Sequence, residues 1–500
     1  MVCAISAVLR TIVAASAVTA LAACSTLPPY SAPSLDVPAH YASPDASPGW
    51  SVAAPADANA RGPWWTVFGD PQLDQLEARV DISNQTVREA VANLAAARAL
   101  IGYQSAGYAP SVSAGVAAQR YRTSQNLQDR SVAGKTIPDF ATGVTASWEP
   151  DLFGRVRNAT AEARANAQAS AADLESVRLS VTSQLATDYF ALRSVDRQKQ
   201  LLDDTVDAYR AALRIVQQQF DDGAVDASAV AQARTQLEST STQASDLDVQ
   251  RAQLQHAIAT LIGVPASTFT LAARAEPAMV PTVPAGVPSA LLERRPDIAA
   301  AERRVAAANA RIGEARAAFY PDLTLSASAG LESTFFAPWL SAPSLFWSLG
   351  SQLAGTLFDG GRHAASLKGA NAQYDAAVAA YRQTVLVAFQ QVEDELSALA
   401  TLAGEAQTQQ RASAAAQLSL TLTTNRYRAG AVSYLDVVTA QTIALDNRRT
   451  DEQIAARRLA ASVSLLQALG GGWARASLEA PVAAATAAPA APVTAARTSG

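Results

Sequence analysis

Few side chains in this 500-residue sequence have the types and spacing that chemistry needs. The three histidines, His40, His256 and His363, are scattered, with no cysteine or carboxylate read at ligand spacing, so a metal centre is not expected. No glycine loop cradles a phosphate and no serine elbow is present, which leaves phosphoryl transfer and serine hydrolysis without machinery. Arg294-Arg295 before Pro296-Asp297 reads as a helix start, with proline in the first turn and an acid favouring the helix dipole. Asp436, in Ser433-Tyr-Leu-Asp436-Val-Val-Thr439, reads first as a solvated helix carboxylate. No enzyme, cofactor or metal follows from these residues.

What must position such residues is a duplication. Phe220-Asp-Asp-Gly223-Ala-Val225 and Tyr427-Arg-Ala-Gly430-Ala-Val432 are near copies 207 residues apart. The same offset links Gly154-Arg155 to Gly361-Arg362 and Gly263 to Gly470. Arg155 to Phe220 contains neither proline nor glycine over 66 residues, which predicts a helix on the order of 100 Å long, wider than any compact domain. Leu202, Val206, Tyr209, Leu213, Val216 and Phe220 mark a coiled-coil seam, and Val378, Tyr381, Val385, Phe389 and Val392 mark another in the second half. Alanines at 159, 161, 163, 165, 167, 169 and 171 make the first long helix slim, suiting neighbours on two sides. Each half thus predicts one long helical hairpin turning at Gly223 or Gly430, where a left-handed backbone favours glycine.

Between the first helix of each half and its hairpin the period changes to two. Phe319, Leu323, Leu325, Ala327, Ala329 and Leu331 alternate with polar or small residues, as do Leu345, Trp347, Leu349, Leu353 and Leu357, with Phe346 breaking the pattern. The first half offers Ser111 to Arg122 and Pro138 to Trp148. Each run approaches the ten or so residues of a tilted membrane strand, although alternation alone fits a soluble half-buried sheet equally well. Four strands cannot close in lipid, where a barrel needs at least about eight, so a membrane barrel would be shared between chains. A dimer, trimer or tetramer would each satisfy that count. Pro110 and Pro321 lie 211 rather than 207 apart, so the length difference between halves falls in the strand and loop region.

Composition narrows the class. Hydrophobic residues make up 49% of the chain and the net charge is −5, without a basic patch, so nucleic acid is not an expected partner. No stretch after residue 24 holds 18 consecutive apolar residues, which argues against a transmembrane helix. The run Ile12 to Ala23 ends in Leu21-Ala22-Ala23-Cys24, which resembles the lipobox of bacterial lipoproteins. That resemblance implies cleavage before Cys24 and lipidation of it, and Ser25 after it implies release to the outer membrane. Cys3, the other cysteine, would be lost with the leader, leaving no internal disulfide.

With Trp64-Trp65, Phe68-Gly-Asp70-Pro-Gln-Leu73, Trp148-Glu-Pro-Asp151-Leu-Phe-Gly-Arg155, Leu291-Leu-Glu-Arg294-Arg-Pro-Asp297-Ile and Phe358-Asp-Gly-Gly-Arg362 in this order, the chain resembles the TolC-like outer membrane channels. Within them it is similar to the lipoprotein branch that serves resistance-nodulation-division multidrug pumps. The resemblance covers nearly the whole mature chain. It implies a mixed α and β fold: a transmembrane β-barrel completed by oligomerisation, four strands per chain, continuous with a long periplasmic helical coiled-coil barrel. It further implies a homotrimer, a periplasmic adaptor protein meeting the tips at Gly223 and Gly430, an inner-membrane pump, and passive export of drugs or other small compounds. The rival readings are a channel for type I protein secretion and a structural periplasmic coiled-coil lipoprotein without a pore.

The resemblance also implies a periplasmic gate. Asp436 matches one acidic ring position that narrows the TolC tunnel, where three carboxylates would repel one another and raise some of their own pKa values. Thr439 occupies the second ring position, and Tyr427 retains the aromatic one. Val432 and Ala229 stand where the TolC latch has its arginine and aspartate, so closure is expected to rely on packing and hydrogen bonds. The tips differ in charge, Asp221-Asp222-Gly223-Ala-Val-Asp226 against Arg428-Ala-Gly430-Ala-Val-Ser433, which implies two alternating classes of adaptor contact. The chain divides into a signal peptide (1–23), a lipid-anchored segment of an equatorial belt (24–70), a first repeat (71–263), a belt linker (264–288), a second repeat (289–470) and a tail (471–500) whose composition predicts disorder. Cys24→Ala is expected to abolish palmitate labelling, and continued labelling of the variant would reject the lipobox.

Overall fold

The computed structural model describes residues 26, 28–34, 63–126, 131–281 and 295–471. The leader, Cys24, Leu291 to Arg294 and the tail beyond 471 lie outside these. In chain order the elements are α1 (Pro71–Ser83), α2 (Gln85–Ser105), β1 (Ser111–Arg122), β2 (Thr136–Trp148), α3 (Arg155–Asp221), α4 (Ala227–Leu261), α5 (Pro296–Ala317), β3 (Asp322–Ser333), β4 (Leu345–Ala354), α6 (Arg362–Arg428) and α7 (Tyr434–Ala468). The run α2-β1-β2-α3-α4 recurs as α5-β3-β4-α6-α7. Both α3 and α6 have 67 residues and both α4 and α7 have 35. At about 1.5 Å per residue α3 is roughly 100 Å long.

A glycine in the left-handed region precedes each long helix, Gly154 at φ 82° and Gly361 at φ 90°. An upstream aspartate then covers the free amides: Asp151 accepts from Val156 and Arg157, and Asp359 from Gly361 and His363. Because α4 is half the length of α3, it covers only the tip half; α2 and α5 flank the remainder. There Ala163, Ala165, Ala167, Ala169 and Ala172 are buried, as their small size allows. The wall is completed by stacking short helices end to end. Asn84, which caps α2 through Val87 N–H, donates 2.7 Å to the Leu261 carbonyl at the end of α4. At the corresponding place in the second half, the buried Arg295 guanidinium donates to the Ala468 carbonyl ending α7 (3.1 Å) and to Gln391 of α6 (2.8 Å), while Asp297 holds it at 2.7 Å. Arg295 is therefore more than a helix start: it bolts α7, α5 and α6 together.

The four strands form one antiparallel sheet in the order β1-β2-β3-β4, so the two repeats join through β2 and β3. Register puts Val112, Val116, Phe140, Val144, Trp148, Leu325, Leu331, Trp347 and Leu349 on one face and Ser113, Asp139, Thr145, Ser326, Ser328, Glu332, Ser348 and Gln352 on the other. The polar face is the concave one. A Cβ on Gly143 would lie 2.8 Å from the Ala329 carbonyl oxygen, and one on Gly330 would strike the Thr142 carbonyl. Phe346, the exception to the alternation, sits opposite Gly330 on this face, its ring in the space a side chain there would take. Leu357 falls beyond β4, which ends at Ala354, and β2 begins at Thr136, ahead of Pro138.

The largest apolar core lies at the waist. Trp64 and Phe68, with Leu73, Leu76 and Val80 of α1, pack on Leu185, Tyr189, Phe190 and Leu192 of α3, Ile258 of α4, and Phe269 and Leu271 of the following extended strap. Arg251 ties the strap down, donating to Asp196 (2.7 Å) and to the Leu271 carbonyl (2.7 Å). The described N-terminal residues make their contacts beside the sheet end of the helices. Thr26 donates to the Phe153 carbonyl (2.9 Å), Pro28 accepts from Asn309 (3.0 Å) and Tyr30 donates to Glu302 (2.7 Å), so residues 26–34 run from the base of the sheet down α3 and α5.

Glu77 of α1 is buried at the waist with neither carboxylate oxygen partnered. Burial, reinforced by Asp74 and Asp81, pushes its pKa from 4.5 up to about 9. A carboxyl that holds its proton more tightly when folded is fully tolerated below its unfolded pKa and costs stability as pH rises towards the folded one. Glu77→Gln should therefore raise Tm at pH 8, by up to about 5 kcal/mol of stability, and leave it unchanged at pH 4. Equal Tm shifts at the two pH values would contradict this assignment.

Candidate functional site at the hairpin tips

The tips farthest from the sheet are built alike. In the first, the Gly223 amide donates to the Phe220 carbonyl (2.9 Å) and the Ala224 amide to the Gln219 carbonyl (2.7 Å); in the second, Gly430 and Ala431 donate to Tyr427 and Arg426 (2.9 Å each). This pair of hydrogen bonds satisfies the last helical carbonyls and requires the left-handed backbone found at both glycines, φ 73°. Nothing lies within 4 Å of where either Cβ would sit, so within one chain the backbone angle alone selects glycine.

The returning helices start differently. At the first tip Asp226 is the cap of α4, accepting from Ser228 N–H (3.0 Å) and Ala229 N–H (3.2 Å). At the second, Ser433 caps α7 and Asp436 reaches back to accept from the Ser433 amide (2.9 Å) and hydroxyl (2.7 Å). The Ser433 hydrogen bonds hold the Asp436 carboxyl below its usual range. Within one chain, then, Asp436 is a capping carboxylate that stays ionised, without the upward shift that a crowded ring of acids would produce. It shares an exposed stripe of α7 with Thr439 and Ile443. Thr439 spends its hydroxyl on the Leu435 carbonyl of its own helix (2.9 Å).

Behind the tips the two hairpins are joined without an ion pair among the described residues nearest the turns. Ala229, in the latch aspartate's place, is buried with Val216, Ala233, Tyr434 and Val437. Tyr427 stacks edge-on against Tyr434 at 5.5 Å and donates 2.7 Å to Gln219 of the other hairpin. Burial pushes the Tyr434 phenol up to about 12. Farther along, Gln236 donates to Thr442 (3.2 Å) and Gln243 accepts from Arg449 (2.7 Å), two rungs one heptad apart. Arg197 pairs with Glu452 at 2.8 Å. Sequence reasoning missed Gln219 and these rungs; the seven-residue spacing of Gln236 and Gln243, matched by Thr442 and Arg449, was the available signal. Phe220, expected within the seam, is exposed at the tip.

The other sequence candidates do not converge here. His363 does have a carboxylate at helical spacing, contrary to expectation: Asp359 lies 3.0 Å from its Nδ1. Among the described residues, however, no group of three or more His, Cys, Asp or Glu could hold a metal. Trp64 packs in the waist core and donates to Thr182 (3.2 Å).

The comparisons agree with this architecture. The model of the outer membrane efflux protein family matches residues 78–264 and 287–471, one span in each half. The chain is 33% identical over 456 residues to the antibiotic efflux pump outer membrane protein ArpC of Pseudomonas putida, covering 91% of this chain and 93% of that one. It is 30% identical over 457 residues to the cation efflux system protein CusC of Escherichia coli, covering 91% and 97%. Among solved structures it is similar to the outer-membrane channel OprN, with a TM-score of 0.83, 28% identity and coverage of 90% of this chain and 100% of that one.

Gly430→Ala and Gly223→Ala should each destabilise their tip by roughly 1 to 2 kcal/mol through the left-handed backbone. Faster hydrogen exchange confined to the adjoining helix ends would register the loss, and unchanged exchange would contradict it.

Proposed function

The chain belongs to the outer membrane efflux protein family, and from that premise we propose that it is the passive exit duct of a tripartite efflux system. It resides in the outer membrane, with its helices forming a periplasmic tunnel. Drugs or other small compounds reach it from an inner-membrane pump of the resistance-nodulation-division type through a periplasmic adaptor protein, and the energy is supplied by the pump. Three chains assemble into a 12-stranded barrel. The observation that carries this reading is the sheet, whose apolar convex face, polar concave face and two unpaired edges suit a water-filled pore completed by neighbours.

Lipid anchoring at Cys24 adds a second hold on the membrane. Thr26 supports it, because its bond to Phe153 lies just past the end of β2, so a lipid two residues upstream would start at the foot of the barrel. The gate lies at the tips, with Asp436 and Thr439 on the exposed stripe of α7 and Tyr427 in the bond between hairpins. A closed state held by Tyr427, Gln219 and the rungs at Gln236 and Gln243 needs no arginine–aspartate latch. Adaptor hairpins meet the tips around Gly223 and Gly430, one flanked by Asp221, Asp222 and Asp226 and the other by Arg426 and Arg428. The relatives named for antibiotics and for cations favour small solutes over secreted proteins, and a wide aqueous duct selects little by itself.

Purified protein in planar lipid bilayers should give discrete single-channel conductance with rare openings. Combining Tyr427→Phe with Gln219→Ala should lengthen the openings, since two hydrogen-bonding groups leave the closed state. If this double variant and Asp436→Ala both fail to conduct, the pore reading falls.

A further inference from the structure

The loop joining β3 to β4, Thr334 to Ser344, reads Thr-Phe-Phe-Ala-Pro-Trp-Leu-Ser-Ala-Pro-Ser and contains no charged residue. Phe335, Phe336 and Leu340 are each about 70% exposed. Three large apolar side chains so close together in water would be unfavourable, and their placement supplies the reason they are tolerated. Phe140 lies on the convex apolar face of β2, in register with Ser333. Phe336 packs edge-on against it at 5.4 Å and Trp339 at 5.8 Å, while the Trp339 indole donates to the Leu331 carbonyl (3.2 Å). The loop is thus folded over the lipid-facing side of the sheet, away from the polar lumen.

Depth is consistent with that placement. Phe140 and Trp148 are on the same face eight residues apart, about 27 Å along the strand and roughly 20 Å after a barrel tilt of about 40°. That is close to the apolar band between two interfacial aromatic belts. Two and four pairs beyond the Phe140 level, the same face turns to Arg120 and Arg122 of β1, suited to lipid phosphates. The companion loop between β1 and β2 is polar, with Asp129, Arg130 and Lys135.

We propose that residues 334–344 form an apolar wedge inserted among the acyl chains and headgroup boundary of the outer leaflet, anchoring the barrel's far end in lipid. The proposal rests on the sheet's crossing the membrane, so its test carries a control for that crossing. Single cysteines at Leu340 (the wedge), Val144 (mid-strand, convex face) and Asn126 (the polar loop) would each be labelled with an environment-sensitive dye in the full-length protein in vesicles, the parent protein labelled in parallel supplying the background. The Leu340 and Val144 probes should lose most of their emission to nitroxide-bearing lipids and little to aqueous iodide, with Asn126 behaving in the opposite way. Quenching of the Leu340 probe by iodide, as at Asn126, would overturn the wedge. Shielding from both quenchers would also overturn it, by placing a neighbouring copy over the loop. Failure of lipid to quench at Val144 would instead sink the membrane crossing itself.

Discussion

A strand edge cannot face hydrocarbon, because each unpaired amide and carbonyl there has no water to turn to. The sheet of this chain has two such edges, β1 and β4, because four strands are too few to close on themselves. Most of the architecture follows from that constraint. Neighbouring chains must supply the missing partners, and the glycines at 143 and 330 let the concave side close around a lumen without collision. Because each strand pair leads directly into a long helix, a ring of strands imposes a ring of helices beneath it.

The helical wall meets a different requirement, that of filling a cylinder with a duplicated chain. The tip halves of α3 and α6 have their own hairpin partners, whereas the sheet-end halves rely on α2 and α5. End-to-end junctions at Asn84 and Arg295 make the shorter helices act as columns. At the tips the duplication gives identical glycine turns but different caps, aspartate in one and a serine–aspartate box in the other. Interchangeable geometry with different chemistry allows one barrel to present two kinds of surface to a partner.

Much of this was legible in the residues. The 207-residue offset of glycine landmarks located the hairpins, since a left-handed turn leaves little choice of residue, and strict alternation located strands whose ends agree within two residues for β1 and β2. Legibility failed where one residue served a distant partner. Arg295 looks like any basic residue before a helix until the end of α7 is brought beside it. Glu77 looks solvated, being flanked by Asp74 and Asp81, yet it is buried beneath them. Asp436 carries an assignment from resemblance to a pore ring, while its bonds within the chain are those of a cap. Phe346 broke the strand pattern because its function is to cover a glycine, which only register reveals.

The central claim is that the sheet closes only between chains. Native mass spectrometry of the channel released from detergent micelles tests it most directly. The account predicts a single dominant species of three chains, giving twelve strands. A folded species of one chain carrying the full sheet would contradict it.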